Sequence, residues 1–206
     1  MMQAVRPRIG HEQVTGLILA GGQGSRMGGV DKGLQALRGR PLVEHAIERL
    51  QPQVGALAIS ANRNTDLYRR YGFPVYGDSP APTFAGPLAG IATGLHAATT
   101  PWVLIVPCDA PLFPLDLADK LIEALEVTAG DLAFAATREA DGTHQQHPVF
   151  ALLPSRLADS ANAQLASGVR RLGAWYAHHN AVEVSFRETH AFYNANTLQD
   201  LQELER

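Results

Sequence analysis

Residues 14–33, VTGLILAGGQGSRMGGVDKG, join a short apolar run to a loop that is rich in glycine. The run from Val14 to Ala20 predicts a buried strand, and the loop behind it holds six glycines together with Arg26 and Lys32. Glycine lets a ligand come close to main-chain N–H groups, and consecutive N–H groups form an anion-binding concavity. The segment therefore predicts a strand that ends in a polyphosphate-binding loop.

The glycine spacing separates this loop from two common phosphate-binding loops. A P-loop ends in Gly-Lys-Ser/Thr, whereas Lys32 precedes Gly33. The dinucleotide fingerprint needs a glycine where Met27 stands and an acid at the end of the second strand, and residues 56–63 contain no acid. The spacing therefore disfavours both of these loop types. The simple alternative to a polyphosphate-binding loop of another type is a glycine-rich surface turn with incidental charges.

Composition limits the classes of function. A chain of 206 residues with 46% apolar and 18% charged residues suits one globular domain. The net charge of −3 argues against nonspecific binding of nucleic acid. The single cysteine, Cys108, indicates a reducing compartment, and no apolar run approaches the roughly 18 residues of a membrane helix. We expect a cytoplasmic protein with no nucleic-acid or membrane partner, a disordered lead-in over 1–13 and one domain over 14–206.

Short apolar runs alternate with helical segments, which is typical of an α/β fold with a mainly parallel sheet and helices on both faces. The predicted strands are 14–20, 55–60, 73–76, 101–107, 130–136, a strand at HPVFALL (147–153) and one near 181–186. The predicted helices are 41–51, 87–98, 114–126, two segments up to about residue 179, and one from Thr197.

Asp109 follows the predicted strand 101–107, which is apolar on both faces. Ligands of open α/β sheets bind at the carboxyl ends of the strands, so Asp109 and the glycine-rich loop face the same crevice. Mg²⁺ often takes one or two carboxylates and completes its shell with phosphates and water. Asp109 is therefore a candidate Mg²⁺ ligand, with a helix-capping role as the alternative, and Cys108 beside it is predicted to be a small core residue.

Residues 19–34, LAGGQGSRMGGVDKGL, resemble the nucleotidyltransferase signature LAGG-x-x-x-RMGG-x-DK, and most closely that of the molybdenum cofactor guanylyltransferases. The similarity continues, in the expected order, through GPLAG (86–90), PCDAP (107–111), His147-Pro148, Arg170-Arg171 and NANT (194–197). The resemblance implies a Rossmann-like nucleotidyltransferase fold. It also implies Mg²⁺-dependent transfer of GMP from GTP to the terminal phosphate of molybdopterin, with release of pyrophosphate.

The resemblance assigns roles to individual residues. It implies that Arg26, Lys32 and Asp109 are catalytic and that Asp109 binds the metal. The implied GTP-binding residues, mainly within 14–110, are Leu19, Ala20, Gly21, Gly22, Gly24, Lys32, Ser60, Asn62, Asp78 and Asp109. The implied molybdopterin-binding residues, mainly within 140–206, are His147, Arg170, Arg171, Asn194 and Asn196.

Several of these roles leave alternatives open. Asp78 suits a guanine contact, because one carboxylate accepts from both N1–H and N2–H₂, and equally a ribose contact or a turn. The family often has Asn where Ser60 stands. Arg170 and Arg171 on a helix would point about 100° apart, so only one of them would meet the ligand directly. The segment at Asn196 also suits the cap of the last helix.

The LAGG and GPLAG sequences favour GTP over CTP, since the related cytidylyltransferases typically read LAAG and lack GPLAG. Transfer to another phosphorylated acceptor, such as a sugar phosphate, stays open. So does nucleotide sensing without turnover, although that function predicts loss of Lys32 or Asp109, and both are present. Molybdenum insertion proteins and apo-molybdoenzymes are further partners that the resemblance suggests.

Overall fold

A computed structural model describes residues 8–20, 30–78, 86–168 and 170–205. The strands in these ranges are β1 (Val14–Leu19), β2 (Ala36–Leu37), β3 (Arg40–Pro41), β4 (Ala56–Ser60), β5 (Val75–Tyr76), β6 (Trp102–Pro107), β7 (Leu132–Arg138), β8 (His144–Pro154) and β9 (Ala181–Phe186). Seven of them form one sheet in the order β5-β4-β1-β6-β8-β7-β9, and β2 and β3 form a separate hairpin.

The helices in the same ranges are α1 (Leu42–Leu50), α2 (Thr65–Arg69), α3 (Pro87–Ala97), α4 (Leu117–Thr128), α5 (Ala158–Ala166), α6 (Leu172–Tyr176) and α7 (Leu198–Leu204). The predicted succession of strands and helices is confirmed, with ends that differ by about three residues or fewer. Two further elements, α2 and the β2–β3 hairpin, are not predicted from the sequence. In the described parts of the chain, no helix has the length and apolar character needed to cross a membrane.

The sheet is mixed but mainly parallel. β1 pairs in parallel with β4 and β6, β4 with β5, and β7 with β9. β8 runs antiparallel to both β6 and β7. The reversal between β7 and β8 is a short turn in which Gly142 has φ 87° and Thr143 N donates to Asp141 Oδ1 at 2.8 Å. Such a tight connection can join only antiparallel strands, whereas a parallel pair needs a longer crossover.

Alternate residues of each strand enter two cores, one on each face of the sheet. In β6, Leu104 and Val106 belong to the first core, which α1 and α4 cover. Val103 and Ile105 belong to the second core, which α3, α5 and α6 cover. All four side chains are fully buried. The prediction of helices on both faces is therefore confirmed, and β6 is apolar throughout because both of its faces are covered.

Residues 8–13 lie against α4. The backbone N–H of Ile9 donates to Glu126 Oε1 at 2.8 Å, and His11 Nε2 lies 2.8 Å from Asp119 Oδ1. A short 3-10 turn over His11–Gln13 leads directly into β1. The expectation of a disordered lead-in is therefore wrong for residues 8–13, because partners more than a hundred residues away hold them. Residues 1–7 lie outside the described residues.

Two glycines in helices should respond in opposite ways to substitution by alanine. A Cβ at Gly94 in α3 would overlap the side chain of Leu17, which is only 1% exposed. We expect Gly94→Ala to lower the free energy of unfolding by about 1–3 kcal/mol, although alanine favours a helix by about 1 kcal/mol. A Cβ at Gly173 in α6 meets no atom within 4 Å, so Gly173→Ala should raise the free energy of unfolding by about 0.5–1 kcal/mol.

Urea denaturation of both variants tests the two signs. A Gly94→Ala variant as stable as the parent would contradict close packing of α3 on β1.

Candidate active site

The carboxyl ends of β1, β4 and β6 meet at one edge of the sheet. Hydrogen bonds continue past the strands, from Ala20 N to Ser60 O at 2.8 Å and from Cys108 N to Leu19 O at 3.0 Å. β1 therefore brings Leu19 and Ala20 beside the segment that carries Asp109, as predicted. The predicted site residues Gly21, Gly22, Gly24 and Arg26 lie outside the described residues.

Lys32 makes the central contacts of the described site. Its Nζ donates to Asp109 Oδ2 at 3.1 Å and to Asn196 Oδ1 at 2.7 Å. The side chains of Lys32 and Asp109 are 18% and 17% exposed, so the pair is shielded from bulk water but can still be reached. Ala195 N donates to Asp109 O at 2.6 Å, which ties the C-terminal segment to the end of β6. Lys32 and Asp109 from the predicted nucleotide side thus meet Asn196 from the predicted acceptor side.

The residue before Lys32 is a buried acid, Asp31, whose exposure is 5%. Tyr68 Oη donates to Asp31 Oδ1 at 2.6 Å, and Asn64 Nδ2 donates to Asp31 Oδ2 at 3.0 Å. Asn64 directly precedes α2 and Tyr68 lies within it, so this one short segment supplies both donors. Burial is the main cause that raises the pKa of Tyr68 far above its ordinary value, so its hydroxyl stays a donor.

Sequence reasoning missed this anchor. Asp31 belongs to the D-K pair of the signature, which could have marked it. Asn64 and Tyr68 carry no signal in the sequence, because their importance depends on a contact with a residue more than thirty positions away.

Gly33 allows the loop to approach the core. A Cβ at Gly33 would overlap Tyr68 Oη and would lie 3.2 Å from Cys108 Sγ. Cys108 is 5% exposed within the first core. Burial raises the pKa of the Cys108 thiol well above its ordinary value, which disfavours the reactive thiolate. The prediction that Cys108 is a small core residue is confirmed.

Asn62 and Asp78 hold each other at the ends of β4 and β5. Asn62 Nδ2 donates to Asp78 Oδ2 at 2.6 Å, and Asp78 N donates to Asn62 Oδ1 at 2.7 Å. Burial raises the pKa of Asp78, and the hydrogen bond from Asn62 partly opposes that shift. The contact orients the carboxyl group of Asp78 and does not engage its Oδ1 atom.

Ser60, two residues before Asn62, is the last residue of β4, but its side chain faces α3. Its exposure is 4%, and a Cβ at Gly90 would come within 2.5 Å of Ser60 Oγ. The structure thus gives the hydroxyl of Ser60 a packing position beneath Gly90, whereas its carbonyl group pairs with β1.

A cleft of about 750 Å³ opens next to Asn196. Three of the predicted molybdopterin-binding residues line it: His147, Asn194 and Asn196. Phe192, Tyr193 and Asp200 lie beside them in the wall. The volume is in the range of small-molecule and cofactor sites. His147 is 6% exposed, with its Nε2 atom 2.8 Å from Thr137 Oγ1 and its ring stacked on Phe192 at a centroid distance of 4.8 Å.

The other two predicted acceptor residues, Arg170 and Arg171, do not line this cleft. Both are exposed, and Arg171 precedes α6 with extended backbone angles. The buried side chains of α6 enter the second core, on the opposite face of the sheet from the ring of Phe192. The assumption that the two arginines share a helix is wrong, because Gly168, with φ 79°, follows the end of α5 before them.

Thr197 caps α7, and Asp200 completes the cap. Asp200 N donates to Thr197 Oγ1 at 3.1 Å, and Asp200 Oδ2 accepts from Thr197 N at 2.9 Å and from Asn196 N at 2.7 Å. This is a capping box with an acid at its third position. The alternative that Asn196 itself is the cap is thereby resolved, and its side chain reaches Lys32 instead. Asp200 was not among the predicted residues, although the T-x-x-D spacing could have marked it.

Comparison with known proteins agrees with this arrangement. Residues 16–182 match the family model of the MobA-like NTP transferase domain. A crystal structure of molybdopterin-guanine dinucleotide biosynthesis protein A from Archaeoglobus fulgidus shares the fold, with a TM-score of 0.75 at 22% identity over 93% of this chain and 96% of that chain. A 4-diphosphocytidyl-2C-methyl-D-erythritol synthase from Anaerococcus prevotii also shares it, with a TM-score of 0.71 at 14% identity over 93% and 94% of the two chains. Fold, site and family model together define a nucleotidyltransferase.

Curated relatives narrow the family. The chain is 50% identical over 194 residues to the molybdenum cofactor guanylyltransferase of Cupriavidus taiwanensis. The aligned region covers 94% of this chain and 97% of the relative. It is 50% identical over 196 residues to the protein of the same name from Bordetella petrii, over 95% and 99% of the two chains. The chain therefore belongs to the molybdenum cofactor guanylyltransferases.

The buried position of His147 should make stability depend on pH. Burial is the main cause that lowers the pKa of His147, and Glu139 partly opposes it. The unfolded chain therefore binds this proton more readily, and stability is lost as the pH falls below the unfolded pKa of about 6.5. We expect the stability difference between the parent and His147→Gln to be largest near pH 8 and to shrink toward pH 5.

Chemical denaturation at both pH values measures this difference, with His178→Gln at an exposed histidine as the matched control. A parent-minus-variant difference that stays constant across the range would contradict the buried, neutral state of His147.

Proposed function

We propose that this protein transfers GMP from GTP to the terminal phosphate of molybdopterin and releases pyrophosphate. The product is the guanine dinucleotide form of the cofactor, and molybdopterin, with or without its molybdenum, is the second substrate. The observation that carries the proposal is the contact of Lys32 with both Asp109 and Asn196. It joins the crevice at the strand ends to the cleft, so two anionic substrates can meet at one cation. The family membership of the chain supports the choice of substrates.

The chemistry requires little beyond positioning and charge. A phosphate oxygen of the acceptor attacks the α-phosphorus of GTP, a new P–O bond forms, and the bond to the pyrophosphate leaving group breaks. A phosphate monoester is largely ionised near pH 7, so no general base has to generate the nucleophile. The site must hold two anions in line and stabilise the charge that spreads in the transition state. Lys32 supplies a compact positive charge for this task, and we assign the second cation to Arg26.

Asp109 fits the role of protein ligand to Mg²⁺. It offers a partly exposed carboxylate at the end of β6, and its contact with Lys32 uses only Oδ2. Among the described residues, no group of three or more His, Cys, Asp or Glu side chains could hold a metal. The remaining ligands would therefore be phosphate and water oxygens, as is common for Mg²⁺. When bound, Mg²⁺ neutralises charge on the triphosphate.

We assign the nucleoside of GTP to the contact between Asn62 and Asp78. Asn62 donates to the carboxyl group of Asp78 through Nδ2 and accepts from the backbone N–H of Asp78 through Oδ1, so the two contacts hold both the side chain and the main chain of Asp78. A carboxylate held in this way can accept from N1–H and N2–H₂ of guanine or from the ribose hydroxyls. Leu19 and Ala20 place main chain at the same edge of the sheet.

We assign molybdopterin to the cleft that His147, Asn194 and Asn196 line. The stack of His147 on Phe192 makes part of that wall rigid. Arg170 and Arg171 remain predictions from the resemblance for this substrate. We place the reaction in the cytoplasm, in keeping with a single cysteine that is a free, buried thiol.

Loss of the Lys32 charge should affect catalysis far more than loss of the other lysine in the sequence. We expect Lys32→Ala to lower kcat/KM by about a hundredfold or more at saturating Mg²⁺, because its charge acts on developing negative charge in a shielded site. Lys120→Ala is the matched control, since Lys120 pairs with Asp116 on α4 and lies over the ring of Phe186. Its kcat/KM should stay within about twofold of the parent. Steady-state pyrophosphate release measures both, and a change below threefold for Lys32→Ala would exclude the proposed role.

The substrates are tested by pyrophosphate release from GTP, CTP, ATP and UTP, each with Mg²⁺ and with or without molybdopterin. We expect release from GTP that requires molybdopterin. Faster turnover of CTP would refute the guanine preference. GTP binding without release from any nucleotide would refute transfer to molybdopterin and would favour another acceptor or a sensing role.

A further inference from the structure

We propose that Tyr68 is a positioning residue for nucleotidyl transfer, acting through Asp31 and Gly33 on Lys32. The inference deepens the proposed function and rests on it for the kinetic consequence. It concerns a core side chain that makes no described hydrogen bond to Lys32 itself.

The hydroxyl of Tyr68 lies between the two residues that flank Lys32. It donates to Asp31 Oδ1 at 2.6 Å, and it occupies the space where a Cβ of Gly33 would be. One buried atom therefore contacts the chain on both sides of Lys32. The backbone of Lys32 cannot shift toward the core without meeting this atom, and it cannot shift away without breaking the hydrogen bond to Asp31.

Burial makes this anchor stiff. Tyr68 is fully buried and Asp31 is 5% exposed. A buried carboxyl group is costly unless hydrogen bonds satisfy it, and the described donors to the carboxylate oxygens of Asp31 are Tyr68 and Asn64. Water has little access to replace the phenol if the phenol is removed. Asp31 would then reorganise and carry Lys32 with it.

The position of the Lys32 backbone matters because it sets where the charge at the end of a long, flexible side chain can reach. Lysine places a point charge at the end of four rotatable carbons, and here that charge must meet Asp109 at 3.1 Å and Asn196 at 2.7 Å. A misplacement of about 1 Å at a catalytic group can cost a hundredfold in rate. Such a loss should appear in kcat more than in KM, since the charge on the phosphates grows in the transition state.

The kinetic test compares Tyr68→Phe with Tyr71→Phe. Both variants lose a phenol near a carboxyl group, since burial and the charge of Glu44 raise the pKa of Tyr71, but Tyr71 has no described hydrogen bond with residues 31–33. For Tyr68→Phe we expect kcat to fall about tenfold with KM for GTP within about threefold, after correction for the folded fraction. Tyr71→Phe should match the parent. In a Lys32→Ala background, Tyr68→Phe should lower kcat no further, because the two changes act through one group.

A second measurement reads the position of Lys32 without any activity. Biosynthetic labelling with ¹³C,¹⁵N-lysine marks the two lysines of the chain, Lys32 and Lys120, and leaves their charge and all their N–H donors unchanged. Tyr68→Phe should shift or broaden the NMR signal of Lys32 and leave that of Lys120 unchanged, and Tyr71→Phe should leave both in place.

A parental Lys32 signal together with a parental kcat in Tyr68→Phe would overturn the proposal, as would a loss of kcat that only follows the unfolded fraction. If the parent releases no pyrophosphate, the proposed function fails. The Lys32 signal then still decides whether Tyr68 positions this side chain.

Discussion

The parallel pairing of β1 with β4 on one side and β6 on the other is the constraint on which the rest of the structure depends. Parallel strands end at the same edge, so three chain segments leave the sheet side by side. This pairing requires β1 to be buried on both faces, and Gly16 contributes because a Cβ there would come within 2.7 Å of the Leu50 side chain in α1. The crevice is thus a consequence of strand direction, and the side chains at the strand ends decide its chemistry.

In the function that we propose, the C-terminal segment makes this crevice a site for two substrates. Ala195 hydrogen-bonds to the main chain at Asp109, and Asn196 reaches Lys32. The capping box of Thr197 and Asp200 uses the backbone N–H of Asn196 and leaves its side chain for that contact. The proposed nucleotide and acceptor sides are therefore joined by direct hydrogen bonds, an arrangement that suits our proposal of two anions held around one shielded cation.

Prediction from sequence succeeded where the signal is local and failed where it is not. The apolar run at β6 predicted a strand buried on both faces, and the position of Asp109 two residues beyond it predicted a place in the crevice. By contrast, the sequence predicts a helix at Arg170 and Arg171, and no local pattern reveals the left-handed Gly168 that separates them from α5. The prediction of disorder is wrong for residues 8–13 because their partners lie far away on α4, and the contact of Tyr68 in α2 with Asp31 has no local signal either.

By itself, the sequence determined the order of strands and helices, the layers on both faces of the sheet and the edge of the sheet beside which Asp109 lies. These properties depend on residue periodicity and on the rule that ligands bind at the carboxyl ends of parallel strands. Only the tertiary structure decided which side chains meet there. Lys32 and Asn196 are 164 residues apart in the chain, and their contact depends on how the C-terminal segment packs against Asp109. Periodicity is a property of a single helix or strand. A contact between distant residues such as Lys32 and Asn196 depends on how all the elements between them pack together.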